Sequence, residues 1–239
     1  MSDSFSNELN NLRKSKQFTH ILLPFQLPEL KKVEENGNRF YVTASGKKYP
    51  SITTVIGLLS RERILAWRKR EGEERANQIA RQSSNRGTKI HSMCENYLNN
   101  KSDYSDGHEQ GHITMFNQFQ AEVNRINNIH TQEAALYSDR LGIAGRVDCI
   151  AEFDGKLSVI DFKTKRKEIQ KDWAGEHFMQ CAGYAEMWEE RTNIPIEQVV
   201  LLITTETGNY QVFVEDRETY KNNRIPKLID AIANFNQMD

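Results

Sequence analysis

Two aspartates, Asp148 and Asp161, are the residues of this sequence whose type and spacing most suggest chemistry. They lie on either side of Asp154-Gly155, a dipeptide that favours a two-residue turn between antiparallel strands. A hairpin with that turn places the two acids opposite each other on one face, with Lys163 beside Asp161. Because like charges facing each other destabilise a sheet, the arrangement requires a shared proton or a cation. Lys163 is one such cation, and a divalent metal is a stronger one.

This interpretation depends on the register of the hairpin, because a shift of one residue would move the acids to opposite faces. The alternative is a surface hairpin whose carboxylates are simply solvated. Arg146 falls opposite Lys163 in the predicted register, so the same face would carry both acids and both cations.

Other candidate ligands lie on predicted helices. His91 and Glu95 are four residues apart and share a helical face, beside Gly87, Arg86 and Lys89. Gln180 and Tyr184 have the same spacing on a later helix, although a tyrosine on an apolar helical face is more often a core residue. We interpret the remaining histidines considered, His108, His112, His130 and His177, as surface or packing residues.

The pattern of the chain predicts the elements that must position these residues. We expect an irregular arm over 1–35, a hairpin turning at Ser45-Gly46, and "SITTVIGLLS" as a short strand or helix. Helices are predicted over 61–82, from near Thr88, over 113–129, over 174–191 and from a cap at Asp216 to about Asn236. Strands are predicted over 131–137, 144–153 and 156–163, and in "VVLLITT" and "YQVFV" across Gly208-Asn209. This order predicts an α/β (α+β) fold with a central mixed β-sheet flanked by helices.

Composition excludes several classes of protein. The chain has 239 residues, a net charge of −1 and 38% hydrophobic residues, and no apolar run is long enough to span a membrane. Cys94, Cys149 and Cys181 form no CxxC pair, so they predict buried reduced thiols rather than a zinc site. The first residues have no apolar segment and include acids, so we expect a cytoplasmic protein, in a bacterial or phage-infected cell.

Basic residues concentrate in two segments despite the near-neutral total charge. The first runs from Arg61 to Lys89 around Trp67, and the second contains Lys163, Lys165, Arg166, Lys167 and Lys171. A charge run is usually a solvated helix face or loop. The first segment, however, directly precedes His91, and Lys165, Arg166 and Lys167 of the second directly follow Lys163, which is where a polyanion would enter a site.

Taken together, the motifs "GTKIH" with Glu95, "GRVD", "IDFKT" and "QCAGY" resemble the RecB-like branch of the PD-(D/E)XK nuclease superfamily in order and spacing. Within this branch the sequence resembles the mitochondrial genome maintenance exonuclease type and its phage and bacterial relatives, over roughly residues 49–236. The resemblance implies a restriction-endonuclease-like core with an α-rich N-terminal region. We expect one nuclease domain over 1–239, with the arm, hairpin and basic helix in 1–85 and the core in 86–239.

The resemblance also implies roles for individual residues. Asp148 and Asp161 match metal carboxylates, His91 matches a metal-contacting histidine, and Phe162 would contribute its backbone carbonyl. Glu95 occupies a position that the family uses variably. Lys163 matches the catalytic lysine, and Gln180 and Tyr184 match the QxxxY motif. The sequence departs from the family pattern at Val147, where a proline is usual, and at Asp161, which is often Glu; neither change removes a ligand.

The implied function is Mg²⁺- or Mn²⁺-dependent hydrolysis of DNA by an exonuclease, with one or two ions. The expected substrate is single-stranded ends or flaps in replication, recombination or repair, bound by Arg86, Lys89, Arg146, Lys165, Arg166, Lys167 and Trp67. The alternatives are a duplex endonuclease of the same superfamily and a catalytically inactive nucleic-acid-binding module. We expect a monomer because nothing in the sequence identifies a dimer surface, and no protein partner is indicated.

Overall fold

The structure, a computed structural model, describes residues 16–237. Its larger sheet has five strands in the order β4-β5-β6-β7-β8. These are β4 (Ile126–Ser138), β5 (Ile143–Phe153), β6 (Lys156–Lys165), β7 (Gln198–Thr205) and β8 (Tyr210–Asp216). Neighbouring strands are antiparallel except β6 and β7, which are parallel. The sheet is therefore mixed, as the sequence predicted.

Helices cover both faces of this sheet. On one face α1 (Ile52–Glu71), α4 (Gly175–Thr192) and α6 (Ile225–Asn236) contribute to one hydrophobic cluster. On the other face α2 (Glu73–Leu98) and α3 (Gln110–Val123) contribute to a second cluster. Every residue of β7 is buried, as expected for a strand covered on both faces. The fold thus has an α/β/α arrangement in which α2 and α4 lie on opposite sides of β6.

The crossover connection from β6 to the parallel strand β7 spans residues 166–197. It contains a 3₁₀ helix (Lys171–Ala174) and α4, which ends at Asn193 in the left-handed conformation. After β8, the side chain of Asp216 accepts a hydrogen bond from the Thr219 backbone N–H at 2.8 Å, which confirms the predicted cap. The helix that follows is divided at Arg224 into α5 (Arg217–Asn223) and α6, rather than continuous.

A second sheet precedes α1. Its strands β1 (Lys31–Glu35), β2 (Asn38–Val42) and β3 (Lys48–Pro50) are antiparallel neighbours in that order. The hairpin predicted around Ser45-Gly46 is confirmed by the pairing of β2 with β3. The prediction of an irregular arm through residue 35 is wrong for β1, because Asn36-Gly37, with φ of 50° and 77°, returns the chain onto it. Residues 1–15 of that arm lie outside the described residues.

Helix boundaries in the first half of the chain differ from the predicted ones. The break lies at Gly72, whose φ of 84° suits glycine, and α2 then continues without interruption through Thr88. Thr88 does not cap a helix; its hydroxyl donates to the Ser84 carbonyl at 3.0 Å within α2. The third helix ends at Val123, and 126–129 begin β4 instead of extending the helix. As a result, Arg86 and His91 lie on one continuous helix. This helix also runs across the predicted division between the N-terminal region, 1–85, and the core, 86–239.

Within the range 16–237, no helix combines the length and the apolar character that a membrane crossing requires.

Candidate active site and metal centre

The Asp154-Gly155 turn has the predicted hairpin geometry. Both residues have positive φ, 52° and 77°, as a type I′ turn requires. Strand pairing runs from Phe153–Lys156 to Cys149–Ile160, which is the register that the sequence predicted. Asp148 and Asp161 are therefore the first residues beyond the paired section.

The two strands change partners at this point. β5 continues alongside β4, and β6 continues alongside β7. The backbone N–H of Phe162 donates to Oδ2 of Asp148 at 3.0 Å. A side-chain carboxylate of β5 therefore accepts this hydrogen bond in place of a backbone carbonyl. Arg146 does not lie against Lys163 as expected; it pairs with Ala135 of β4 and its Nε donates to the Glu133 carbonyl at 2.7 Å. The aspartates thus lie at a fork between diverging strands.

Three ligand-type side chains converge at this fork. His91 of α2, Glu133 of β4 and Asp148 of β5 each place a donor atom within 4.8 Å of the others. Nδ1 of His91 lies 3.5 Å from Oδ2 of Asp148. They adjoin a cleft of about 420 Å³ lined by Gly87, Thr88, His91, Ser92, Glu95 and Glu133. Glu95 lies in this cleft but not in the three-residue cluster.

Glu133 is the residue of this cluster that the sequence analysis missed. It lies between two paired positions of β4, Gln132–Cys149 and Ala134–Val147, which puts it opposite Asp148. Its φ is 49°, a conformation that a glutamate rarely adopts in a strand. Burial raises the pKa of Glu133, and the Asp148 carboxylate raises it further, whereas the positive charge of Arg146 lowers it by less. A lone glutamate in "HTQEAALYS" gives no local signal of this role.

Asp161 and Lys163 form a buried ion pair beside the cluster. Lys163 Nζ donates to Asp161 Oδ1 at 2.6 Å, and Asp161 is only 1% exposed. Burial alone would lower the pKa of Lys163, but the carboxylates of Asp161 and Asp148 outweigh it, so the ammonium stays protonated. Burial also raises the pKa of Asp161. Its Oδ2 has no hydrogen-bond partner among the described residues, which leaves an acceptor for a ligand.

Gln180 and Tyr184 reach the fork from α4. Nε2 of Gln180 donates to the Tyr184 hydroxyl at 3.4 Å. Burial and the nearby Asp148 charge hold the pKa of Tyr184 well above its usual range, so the phenol keeps its proton. A Cβ on Gly145 would lie 2.7 Å from Cε1 of Tyr184. The glycine of "GRVD" therefore admits the tyrosine ring to the site.

His177, which the sequence predicts to be a surface or packing residue, lies half-buried beside the candidate site. Its Nε2 lies 2.9 Å from Nζ of Lys165, one helical turn before Gln180. Burial, with the charges of Lys163 and Lys165, lowers the pKa of His177 to about 3. The imidazole is thus neutral at pH 7 and accepts a hydrogen bond from the lysine. Burial and Lys163 also lower the pKa of Lys165.

The predicted DNA-binding residues fall in different environments. Arg166 and Lys167 are exposed beyond the end of β6, and the Arg146 side chain is exposed near Glu133. Trp67 is half-buried and lines a cleft of about 440 Å³ with Arg63, Ile64, Ala66 and Arg70. Lys89 is half-buried near His108, whose pKa is lowered by burial and by that charge. Arg86 is buried and paired with Glu206 rather than open at the mouth of the site.

The residues at the fork fit a divalent cation. One imidazole nitrogen and several carboxylate oxygens form a donor set suited to a cation such as Mg²⁺ or Mn²⁺. The unpartnered Oδ2 of buried Asp161 and the raised pKa of Glu133 both indicate that positive charge would stabilise this cluster. The role of the Phe162 backbone carbonyl as a metal ligand stays a prediction.

Comparison with known proteins identifies the family. Residues 66–237 match the profile of the PD-(D/E)XK nuclease superfamily. The chain belongs to the PD-(D/E)XK nuclease superfamily. Its five-stranded mixed sheet with flanking helices is consistent with the restriction-endonuclease-like fold that the sequence predicted. Membership in the superfamily supports a nuclease function.

Individual relatives match over shorter segments. Mitochondrial genome maintenance exonuclease 1 of Mus musculus is 31% identical over 81 residues, which is 34% of this chain and 24% of that protein. The match thus spans about a quarter of the relative's length. The crystal structure of a candidate exonuclease from Eubacterium rectale has a TM-score of 0.37 and 11% identity, covering 64% of this chain and 68% of the other.

Proposed function

We propose that this PD-(D/E)XK protein is a metal-dependent DNA exonuclease that hydrolyses phosphodiester bonds at single-stranded ends or flaps. The observation that carries the proposal is the convergence of His91, Glu133 and Asp148 beside the buried Asp161–Lys163 pair. This combination supplies carboxylates for a cation and an ammonium for a phosphate in one place. Replication, recombination and repair all require this chemistry.

We assign the cation, Mg²⁺ or Mn²⁺ and one or two ions, to His91, Glu133, Asp148 and Asp161. Bound there, it would neutralise charge on the phosphate and lower the pKa of a bound water. Lys163, kept protonated by its carboxylate neighbours, donates a hydrogen bond to the phosphate oxygen on which charge develops. Tyr184, which keeps its phenolic proton, and the Gln180 amide hold the scissile phosphate in place from α4.

Exposed aromatic and basic side chains support an unpaired strand as the substrate. Trp67 lines a cleft between Arg63 and Arg70, and Trp173 is 69% exposed on the 3₁₀ helix. Nη2 of Arg63 binds Oε1 of Glu176 at 3.0 Å, so α1 and the start of α4 are in contact near both tryptophans. Unpaired bases stack on such rings, while arginines bind the backbone.

Further basic side chains follow β6 or border the fork. Arg166 and Lys167 follow β6, Arg146 borders Glu133, and Lys165 lies between Lys163 and His177. We propose that these cations bind phosphates on either side of the scissile bond.

We also propose that one domain over 1–239 acts as a monomer, because His91, Glu133, Asp148 and Asp161 all come from a single chain. The basic region within 1–85 would border the strand, and 86–239 would form the nuclease core. Cys94, Cys149 and Cys181 are free and buried, which suits the reducing cytoplasm of a bacterial or phage-infected cell.

Oligonucleotides labelled at either end test this function. Wild type and Asp161→Ala are incubated with single- or double-stranded DNA in Mg²⁺, Mn²⁺ or EDTA. We expect stepwise shortening of single strands by wild type with a metal, and none by Asp161→Ala. Internal cuts in duplex would instead identify an endonuclease. Binding without any cleavage would identify an inactive nucleic-acid-binding module, and equal cleavage by both proteins would place the site elsewhere.

A further inference from the structure

Arg86 is a buried cation whose hydrogen bonds are incomplete. It is 7% exposed, and its Nη1 binds Oε1 of Glu206. Its Nε is buried and has no hydrogen-bond partner among residues 16–237. Buried N–H groups are nearly always satisfied in folded proteins, so an unpaired one beside a cleft indicates an absent acceptor. Glu206 therefore satisfies only some of the N–H donors of the Arg86 guanidinium.

Two adjoining clefts meet at this ion pair. Their volumes are about 670 and 290 Å³, and both are lined by Gln82, Arg86 and Glu206. The smaller also contains Arg75 and Arg166, and Nε of Arg166 lies 3.8 Å from Oε2 of Glu206. Nε of Arg75 is paired with Oε2 of Glu71 at 3.2 Å, whereas Arg86 and Arg166 share the single carboxylate of Glu206. This excess of positive charge favours an additional anion.

The larger cleft extends from the pair along α3. Amide side chains line it, together with His112, whose Nδ1 lies 4.0 Å from Oε2 of Glu109. The Glu109 side chain is 84% exposed and does not contact Arg86. The cleft is thus polar and open, with room for part of a strand beside Arg86.

The ion pair lies next to the proposed active site. Glu206 directly follows β7, and its backbone N–H donates to the Lys165 carbonyl at 3.1 Å, at the end of the strand that holds Asp161 and Lys163. Arg86 precedes His91 by five residues on α2, or about 7.5 Å along the helix axis. A strand that leaves the fork along the end of β6 would therefore reach the clefts beside Arg86.

We propose that Arg86 forms a phosphate-binding subsite for the nucleic-acid strand and that Glu206 is a latch that occupies it in the free protein. The proposal rests on the proposed nuclease function. Carboxylate and phosphate oxygens bind the same guanidinium fork, so the two compete for Arg86. Because a buried cation without an anion is costly, the exchange of one anion for the other is more favourable than a vacant site.

The turn that carries Glu206 permits this exchange. Its side chain is 43% exposed. The turn is fixed by other groups: the Thr205 hydroxyl donates to the Asn209 carbonyl at 2.8 Å, and the Thr207 hydroxyl donates to Glu168 at 3.1 Å. None of these bonds uses the Glu206 carboxylate. The side chain can thus rotate away from Arg86 while the turn stays in place.

Binding of a labelled single-stranded oligonucleotide to the full chain in EDTA tests the latch without cleavage. Glu206→Gln removes the competing charge and keeps the side-chain size, so we expect it to bind about 3- to 10-fold more tightly at low salt. Inorganic phosphate should also compete with the oligonucleotide at lower concentration in this variant. Arg86→Gln should weaken binding and abolish the effect of Glu206→Gln in the double variant.

Glu109→Gln is the matched control, since it removes a carboxylate from the same cleft without touching Arg86. Equal or weaker binding by Glu206→Gln, or an equal gain in Glu109→Gln, would overturn the latch. Thermal unfolding monitors folding of each variant, and Arg86→Lys, which keeps the charge but loses the planar fork, replaces Arg86→Gln if that variant unfolds. Wild type that neither binds nor cuts DNA contradicts the nuclease proposal itself; wild type that does both, with Glu206→Gln unchanged, contradicts the latch alone.

Discussion

Replacement of Glu133 by glutamine tests whether Glu133 is a metal ligand or has only a structural role. Donor atoms of Glu133 and Asp148 lie within 4.8 Å, where two full charges repel by roughly 3.5 kcal/mol at an effective dielectric of about 20. The Arg146 contact at 3.0 Å offsets little of this because its side chain is 61% exposed. Without metal, the free energy of unfolding of Glu133→Gln should therefore stay level or rise, by at most roughly 3 kcal/mol.

Addition of metal should stabilise wild type more than Glu133→Gln. A cation present at about 100 times its Kd stabilises wild type by about 2.7 kcal/mol, which raises the Tm of a chain of this size by roughly 5–10 °C. Loss of one carboxylate ligand that weakens binding about tenfold removes about 1.4 kcal/mol, or roughly 3–5 °C, of that shift. Cleavage should fall in parallel.

Thermal unfolding of wild type, Glu133→Gln and Glu95→Gln in EDTA and across a Mn²⁺ titration measures these shifts. Glu95 lines the same cleft outside the three-residue cluster, which makes Glu95→Gln the matched control. A full metal-dependent Tm shift in Glu133→Gln, or a loss only in Glu95→Gln, would refute the assignment of Glu133.

Three further predictions concern residues around the fork. Gly145→Ala should lower the free energy of unfolding in urea by about 1–3 kcal/mol, since the new Cβ meets Tyr184 at 2.7 Å and Ile52 at 3.0 Å; an unchanged value would show that these side chains move aside. Lys163→Met should lower kcat about 10²- to 10³-fold in single-turnover cleavage, and an unchanged kcat would exclude Lys163 from the reaction. His177 has a pKa of about 3 when folded and 6.5 when unfolded, so the unfolded state gains a proton first as the pH falls. Between pH 6.5 and 5, the free energy of unfolding of wild type should therefore fall by about 2 kcal/mol more than that of His177→Gln. Urea denaturation at several pH values measures this, and the same pH dependence in both proteins would contradict the prediction.

The hairpin illustrates what local sequence can predict. The Asp154-Gly155 turn fixes the pairing of β5 with β6 because two successive positive φ angles permit only a tight two-residue reversal. The cap at Asp216 and the mixed sheet follow from equally short-range patterns. By contrast, the predicted hairpins do not include the β1–β2 turn at Asn36-Gly37, although that turn has the same type of signal.

The predicted helix ends are less accurate in a segment with two glycines, either of which can end a helix. Gly72 and Gly87 both fall within a long polar segment, and only Gly72 adopts a positive φ and separates two helices. Propensity alone does not distinguish them, because a glycine inside a helix costs only about 1 kcal/mol. Burial of Ile90, Met93 and Cys94 against the sheet offsets that cost and keeps Gly87 helical.

The sequence by itself determined the family resemblance, the α/β class, the hairpin register and the acids, lysine and QxxxY residues that it brings toward one place. Each of these depends on spacing along a single element or on a motif. Only the tertiary structure decided that Glu133 faces Asp148, that His177 binds Lys165, and that Glu206 covers Arg86. Those contacts join residues from different strands and helices, and they depend on how β5 and β6 diverge and on which face of the sheet each helix covers. No local pattern encodes such contacts, because the chain between the partners only has to be long enough to connect them.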